Sequence, residues 1–215
     1  MTEHPIFARF YDRLLAGTER AGLEEMRHEL LASASGKVLE LGAGTGLNLE
    51  HYTDAVTELV LTEPDPHMAR RLRQRLAALS GPARSATVVE APAENLPFDD
   101  HSFDTVVSTL VLCSVGDQHR ALTEARRVLV EGGRLLYLEH VRSENPRLVR
   151  WQNVLERPWG FVAAGCHPNR DTGQALADAG FWIDSLENGR MPKAPRIVRP
   201  LIRGVARRPT GVEGS

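Results

Sequence analysis

The sequence has no run of apolar residues long enough to cross a membrane. Its longest stretch without a charged residue runs from Thr105 to Gly116, whereas a transmembrane helix needs about 20 residues. It has two cysteines, Cys113 and Cys166, among 215 residues, which excludes a disulfide-rich scaffold and predicts a reduced, cytoplasmic setting. Its net charge is −2, so no excess of either sign attracts it to nucleic acid or anionic lipid.

Internal repeats, low-complexity segments and the apolar core of a signal peptide are absent as well. The first residues, MTEHPIFARFYDRL, are polar and charged, so we expect no leader sequence. The composition, 42% hydrophobic and 25% charged, is typical of a soluble globular protein, and the length predicts one domain with a core of its own.

Strand and helix patterns alternate through the middle of the chain. Short apolar segments, which predict buried strands, are separated by segments whose apolar residues have helical spacing. Strands joined by helical crossovers predict a parallel sheet. The five predicted strands are Lys37–Leu41, Glu58–Thr62, Ala86–Glu90, Phe103–Ser108 and Arg134–Glu139.

The last third of the chain has a different pattern. A helix is predicted over Leu148–Glu156, an ordered loop or lid over Arg157–Arg170, and a second helix over Thr172–Ala179. Phe181–Glu187 and Leu201–Arg207 have strand patterns. Because no full helical crossover separates these two strands, we expect them to pair antiparallel at the sheet edge.

A glycine-rich turn follows the first predicted strand, where Gly42, Gly44 and Gly46 precede a predicted short helix. Glycines permit positive φ and the close approach of a ligand, and the helix start offers free N–H groups. Leu47 stands where the dinucleotide fingerprint has its third glycine. Glu63 ends the second strand about 20 residues later, where a carboxylate accepts hydrogen bonds from ribose hydroxyls; its alternative role is to cap the following turn.

Together with ELGAGTG and Glu63, the segments AENLPF, DDHSFDTVV and RRVLVEGGRLLYLEH resemble the class I S-adenosylmethionine (SAM) methyltransferases of the type 11 group. The resemblance covers Lys37 to His140 and implies SAM as the cofactor. It implies an α/β, Rossmann-like class I methyltransferase fold, a seven-stranded sheet of order 3-2-1-4-5-7-6 with strand 7 antiparallel. The expected organisation is a single domain over 1–210, with an N-terminal helical lid (1–35), a SAM-binding core (37–140), substrate-side loops with a final β-hairpin (141–208), and a disordered tail (210–215).

The resemblance also implies which residues bind SAM. Pro92 stands where many relatives carry an Asp or Asn that contacts the adenine amine, so that contact falls to the next two residues or to water. Tyr11 would fold over the cofactor as part of the lid, or serve only in helix packing. The implied contacts are Glu40, Gly42, Ala43, Gly44 and Gly46 for the methionine part, Glu63 for the ribose, and Ala93 and Glu94 for the adenine. Ser108, Thr109 and Leu110 would form the floor of the site, beneath the methionine end of SAM.

Three further segments, STLVLCSVGD, EHV at 139–141 and GCHPNRDT, are similar to the alkyl-thiol S-methyltransferases within that group. This implies a SAM-dependent methyltransferase that acts on a small, fairly apolar acceptor, a thiol first. The alternatives within the class are a quinone, a phenol or a phospholipid headgroup. The alternatives from other classes are an NAD-dependent oxidoreductase and a non-catalytic SAM-binding partner subunit. Those relatives carry an N-terminal membrane segment, for which we expect no counterpart here.

Methyl transfer from a sulfonium needs mainly proximity and alignment, and a thiol acceptor needs no strong base, whereas a phenol or carbon acceptor does. The candidate bases are Glu139 and His140, which end the fifth predicted strand, and His167. Arg170 and Asp171 are candidates for an ion pair that holds the late loop, and Asp171 is also the predicted N-cap of the next helix.

We expect no metal ion, because the adjacent Cys166 and His167 lack a chelating spacing. The expected partner is the small-molecule methyl acceptor. No nucleic acid is expected, since the Arg70–Arg75 cluster has no interleaved aromatic residues. The cationic stretch Arg190–Arg208 predicts a charged sheet edge, with contact to a membrane surface as the alternative. The sequence does not determine the oligomeric state.

Overall fold

The computed structural model describes residues 15–79 and 82–211, and its centre is one seven-stranded sheet. The strands are β1 (Gly36–Leu41), β2 (Val56–Thr62), β3 (Thr87–Val89), β4 (Phe103–Thr109), β5 (Leu129–His140), β6 (Trp182–Arg190) and β7 (Pro200–Arg207). Their order is β3-β2-β1-β4-β5-β7-β6. Neighbours from β3 to β5 are parallel, whereas β7 is antiparallel to both β5 and β6. This confirms the predicted fold.

Side-chain caps determine where four of the helices begin. Asp65, Asp117, Asn145 and Asp171 each accept a hydrogen bond from a backbone N–H of the first helical turn. The cap predicted at Asp171 is thus confirmed. The helices are α1 (Glu24–Leu31), which follows a π-helical segment (Glu19–Leu23), α2 (Pro66–Ala78), α3 (Gln118–Val128), α4 (Pro146–Val162) and α5 (Thr172–Asp178).

The sheet has an apolar layer on each face, because successive residues of a strand point to opposite sides. Val38 belongs to the layer that also contains Leu30 and Leu72, from α1 and α2. Leu39 belongs to the opposite layer, which contains Leu122 of α3 and further side chains of α5. The central strands are therefore covered on both sides, as their almost uninterrupted apolar sequences predict.

The prediction of a loop over Arg157–Arg170 is wrong in its first part, because α4 continues through Pro158 to Val162. A buried contact before the proline and the partly buried Trp159 after it hold the helix and offset the hydrogen bond that proline cannot donate. Before it, the Gln152 amide donates to the carbonyls of Pro168 and Ile197 at 2.8 and 2.9 Å. The short helix predicted after Gly46 is present as a single 3₁₀ turn over Leu49–His51, which follows several turns.

The arginines near the sheet edge bind partners within the fold. Arg203 pairs with Glu29 and Glu187, and Arg207 pairs with Asp184. In the part of the chain that the structure describes, every helix is too short or too polar to span a bilayer. The carboxyl ends of β1, β2, β4 and β5 lie side by side, which is where an open α/β sheet binds its ligand.

Candidate functional site

The glycine turn adopts a conformation that side chains other than glycine resist. Gly42, Gly44 and Gly46 have φ values of 53°, 58° and 85°, in the left-handed region. A Cβ on Gly42 would lie 2.9 Å from the methyl carbons of Val111. The N–H of Ala43 donates to the carbonyl of Thr62 at 2.8 Å. The turn is therefore fixed between the ends of β1, β2 and β4.

Glu63 lies at the end of β2 and faces this turn. Its carboxylate accepts hydrogen bonds from the N–H groups of Gly44 and Asp65 at 2.8 and 2.9 Å. Burial raises the pKa of the carboxyl, and the two N–H groups act in the opposite direction. Each oxygen keeps a further lone pair, so the carboxylate fits a ligand that presents two adjacent hydroxyls, as a ribose does.

Glu40, at the end of β1, is buried in a hydrogen-bond network. It accepts hydrogen bonds from Asn48 Nδ2 at 2.9 Å and from the Tyr52 hydroxyl at 2.7 Å. Burial raises the pKa of Glu40 to about 7, against the effect of these two donors. Through Asn48 the network connects β1 to Thr109, at the end of β4. The Thr109 hydroxyl accepts a hydrogen bond from the Asn48 amide at 2.8 Å.

Arg27 of α1 completes the same network and was missed by sequence reasoning. Arg27 is buried, with 3% of its surface exposed. Its guanidinium donates to Asn48 Oδ1 and Thr109 Oγ1, each at 2.9 Å. It also pairs with Glu19 at 3.2 Å. The helical spacing around Arg27 placed its leucine neighbours in the core but carried no signal for an arginine directed toward the glycine turn. Tyr11, the other predicted contact from this region, lies outside the described residues.

Glu139, a predicted candidate base, is fully buried and holds the loop after β4. It accepts hydrogen bonds from Ser108 Oγ at 2.7 Å, from the Val111 N–H at 3.1 Å and from the Cys113 N–H at 3.2 Å. In the same loop, Leu110 has a φ of 61°, a strained value for leucine. Burial raises the pKa of Glu139, and these donors oppose the rise. The contacts fit a positioning role.

His140, the next residue, lies between sulfur atoms. Its Nδ1 is 3.7 Å from the Sγ atoms of both Cys113 and Cys166, and its Nε2 is 2.8 Å from the Met191 sulfur. Hydrogen bonding between the two thiols lowers the pKa of Cys166, and it combines with burial to raise that of Cys113. Sequence reasoning named all three residues but did not bring them together, since the fold alone makes them neighbours.

The other predicted residues of the late loop have different contacts. His167 Nδ1 is 2.6 Å from Glu156 Oε1 on a partly exposed surface, and the His167 N–H donates to the Cys113 carbonyl at 2.7 Å. Arg170 donates to the carbonyls of Leu112 and Val115, each at 2.6 Å. Arg170 thus holds the loop after β4 through these carbonyls, rather than through the predicted pairing with the neighbouring aspartate.

The residues predicted to flank the adenine lie beside α3. Ala93 is buried, and the Glu94 carboxylate accepts hydrogen bonds from the N–H groups of Gly116 and Asp117 at 2.7 and 3.3 Å. These contacts tie the segment after β3 to the beginning of the helix that follows β4. That Ala93 and Glu94 flank the adenine stays a prediction.

Comparison with known proteins assigns this geometry to a family. The family model described as "Methyltransferase domain" matches residues 39–137. Human thiol S-methyltransferase TMT1A is 34% identical over 203 residues, which cover 93% of this chain and 82% of that protein. Human thiol S-methyltransferase TMT1B is 38% identical over 180 residues, which cover 82% and 73%.

A solved structure with the same fold is a geranyl diphosphate methyltransferase in complex with SAM. It superposes with a TM-score of 0.68 at 15% identity and covers 89% of this chain and 85% of that one. The strand order β3-β2-β1-β4-β5-β7-β6 is the one that the resemblance implied. The chain belongs to the class I SAM-dependent methyltransferases, in the branch that contains the thiol S-methyltransferases.

Proposed function

We propose that the protein transfers the methyl group of SAM to the sulfur of a small, fairly apolar thiol. The observation that carries this proposal is the state of the candidate bases. Glu139 already accepts three hydrogen bonds from protein groups, and His167 Nδ1 is 2.6 Å from Glu156 Oε1. His140 lies among the sulfur atoms of two cysteines and Met191. A thiol, with an ordinary pKa of about 8.5, ionises without a strong base, whereas a phenol at about 10 does so much less readily. The relatives named as thiol S-methyltransferases support the same choice.

SAM supplies a methyl group on an activated sulfonium leaving group, so the chain contributes mainly binding and alignment. Glu63 would accept hydrogen bonds from the ribose hydroxyls. The glycine turn and the end of β1 would hold the methionine part, above the floor formed by Ser108, Thr109 and Leu110. Glu139 fixes that floor through Ser108. The acceptor would then lie near His140, at the end of the neighbouring strand.

The test is methyl transfer from labelled SAM to a panel of acceptors, with SAM binding measured on the same sample. The panel contains alkyl thiols, hydrogen sulfide, a phenol, a quinol and phosphatidylethanolamine. We expect label in the thiols, and we expect Glu63→Ala to reduce the rate at low SAM concentration while the exposed Glu131→Gln control does not. Transfer only to the quinol, phenol or lipid would contradict the thiol assignment. SAM binding without transfer to any acceptor would indicate a non-catalytic role.

A further inference from the structure

Three donor atoms that favour soft metal ions meet at the end of β5. The Sγ atoms of Cys113 and Cys166 and Nδ1 of His140 all lie within 4.8 Å of one another. Their residues are 1%, 5% and 9% exposed, so the cluster is buried. Two of the donors come from loops and one from a strand, and they are separated by 26 or more positions in the chain. Cysteine sulfur and histidine nitrogen are the ligands that Zn²⁺ binds most often.

The distances fit a tetrahedral ion. With Zn–S bonds of about 2.3 Å and Zn–N bonds of about 2.0–2.1 Å, the sulfur and nitrogen ligands of a tetrahedral zinc are about 3.6 Å apart. Both Sγ–Nδ1 distances are 3.7 Å. Both sulfur–nitrogen distances therefore match those around one tetrahedral ion, and the three donors lie within 4.8 Å of one another.

The surroundings of His140 select the tautomer that a metal requires. The Met191 thioether, a weak acceptor with no hydrogen to donate, is 2.8 Å from Nε2. The contact therefore favours the proton on Nε2 and leaves the lone pair of Nδ1 directed at the two cysteines. A histidine that binds a metal through one nitrogen commonly donates a hydrogen bond through the other.

The cluster provides three ligands and leaves one position of a tetrahedron. Among the described residues, no fourth His, Cys, Asp or Glu joins the group. Structural zinc sites have four protein ligands, whereas sites with three keep a position for water or substrate. The Trp159 indole N–H is buried without a hydrogen-bond partner in the described structure.

We propose that Cys113, His140 and Cys166 bind a thiophilic divalent ion of the Zn²⁺ class, and that the fourth position takes the sulfur of the acceptor thiol. The second part rests on the proposed function. The cluster is connected to the predicted SAM site through Glu139. The Glu139 carboxylate accepts hydrogen bonds both from the Cys113 N–H and from the Ser108 hydroxyl. A thiol that binds such an ion loses its proton outright, which answers how this site activates sulfur without a free base.

The resulting step balances. The acceptor R–SH releases its proton to solvent as it binds the ion. The thiolate sulfur then attacks the methyl carbon of SAM, forming a carbon–sulfur bond as the bond from that carbon to the sulfonium breaks. The products are the methyl thioether and S-adenosylhomocysteine. A thioether is a weaker ligand than a thiolate, so the product leaves the ion.

The first experiment measures metal binding without reference to activity. The full-length protein is reduced, freed of metal with a chelator, exchanged into chelator-free buffer and titrated with Co²⁺ under anaerobic conditions. We expect one equivalent to bind with the thiolate-to-cobalt charge-transfer absorption of a tetrahedral site. Cys113→Ser and Cys166→Ser should each weaken binding at least tenfold and reduce this absorption, whereas the exposed His119→Gln control should not. SAM affinity, measured on every variant, verifies that the variants are folded.

The second experiment adds the acceptor. A small alkyl thiol should change the charge-transfer band as a third sulfur binds, and chelation should abolish methyl transfer to thiols until Zn²⁺ is restored. Absence of the charge-transfer band in the reduced protein, or an equal band in both serine variants, would overturn the metal site. A Cys113–Cys166 disulfide in the fresh protein, with no metal binding after reduction, would do so as well.

The two proposals fail separately. Unchanged thiol methylation in protein proven free of metal overturns the metal proposal and leaves the proposed function in place. A cobalt site with the expected absorption, in a protein that methylates no thiol, upholds the metal site and overturns both the proposed function and the binding of acceptor sulfur to the ion.

Discussion

Glu40 is the buried carboxylate whose ionisation we expect to change stability near neutral pH. Burial outweighs its hydrogen bonds to Asn48 and Tyr52 and raises its pKa from 4.5 to about 7. The folded protein therefore holds this proton more tightly than the unfolded chain does. The stabilisation from the protonated carboxyl is complete below about pH 4.5 and is lost as the pH rises through about 7.

Glu40→Gln removes this titration and keeps the shape of the side chain. With the two pKa values above, wild type loses about 2 kcal/mol of stability through Glu40 between about pH 5.5 and about pH 8.5. The variant lacks this loss, so its stability relative to wild type should rise by about 2 kcal/mol over the interval. For a chain of this length that corresponds to a relative shift in Tm of about 4–8 °C.

The assay is urea unfolding followed by far-UV circular dichroism at both pH values, without SAM. Wild type and variant share all other titrating groups, including Glu63 and Glu139, so their effects cancel in the difference. Glu131→Gln, at an exposed position, is the matched control, and its difference from wild type should not depend on pH. If wild type and Glu40→Gln keep a constant difference, within about 0.5 kcal/mol, the raised pKa of Glu40 is refuted.

Three further substitutions test other parts of the site. Glu63→Ala should weaken SAM binding about 10–100-fold, because hydrogen bonds to a charged group contribute that much affinity. In calorimetric titration it should weaken binding more than His140→Ala does, and equal affinities of the two variants would contradict ribose binding by Glu63. Arg27→Met leaves Glu19 without its buried partner and should cost about 3 kcal/mol in chemical denaturation, whereas a neutral result would mean that the network adds no stability. Arg170→Lys replaces two nitrogens, each of which donates to one carbonyl, by a single nitrogen without the planar fork of arginine. It should cost about 2 kcal/mol without a change in SAM affinity; an unchanged midpoint would contradict the role of Arg170 in holding the loop.

The sheet could be predicted from the sequence because its signals are local. The central strands β1, β2 and β4 are short and largely apolar, and each glycine of the turn lies where the backbone needs positive φ. The end of α4 could not be predicted in the same way. Pro158 signals a helix boundary, and only the tertiary contacts of Gln152 and its neighbours explain why the helix continues to Val162.

The polar groups of the site were harder to predict because they come from distant positions. Arg27 reaches Thr109 across 82 residues of sequence, and nothing in the pattern of α1 distinguishes it from a surface arginine. Cys113, His140 and Cys166 are also far apart in the chain. In the sequence only Cys166 and His167 are neighbours, and their spacing is not one that chelates a metal ion. Spacing rules apply to ligands on one turn or loop, whereas these three converge through the order of the strands.

The segment GCHPNRDT acquires a physical meaning once the loop after β4 is in view. Cys166 provides a thiol beside His140, the His167 N–H binds the Cys113 carbonyl, and Arg170 binds the carbonyls on either side of Cys113. Asp171 caps α5 and so fixes where the segment ends. Two of its eight residues, His167 and Arg170, thus hold the loop after β4, and that loop carries the other cysteine. The segment therefore fixes the positions of both sulfur atoms, one within itself and one in the loop that it holds, and the proposed metal site requires both.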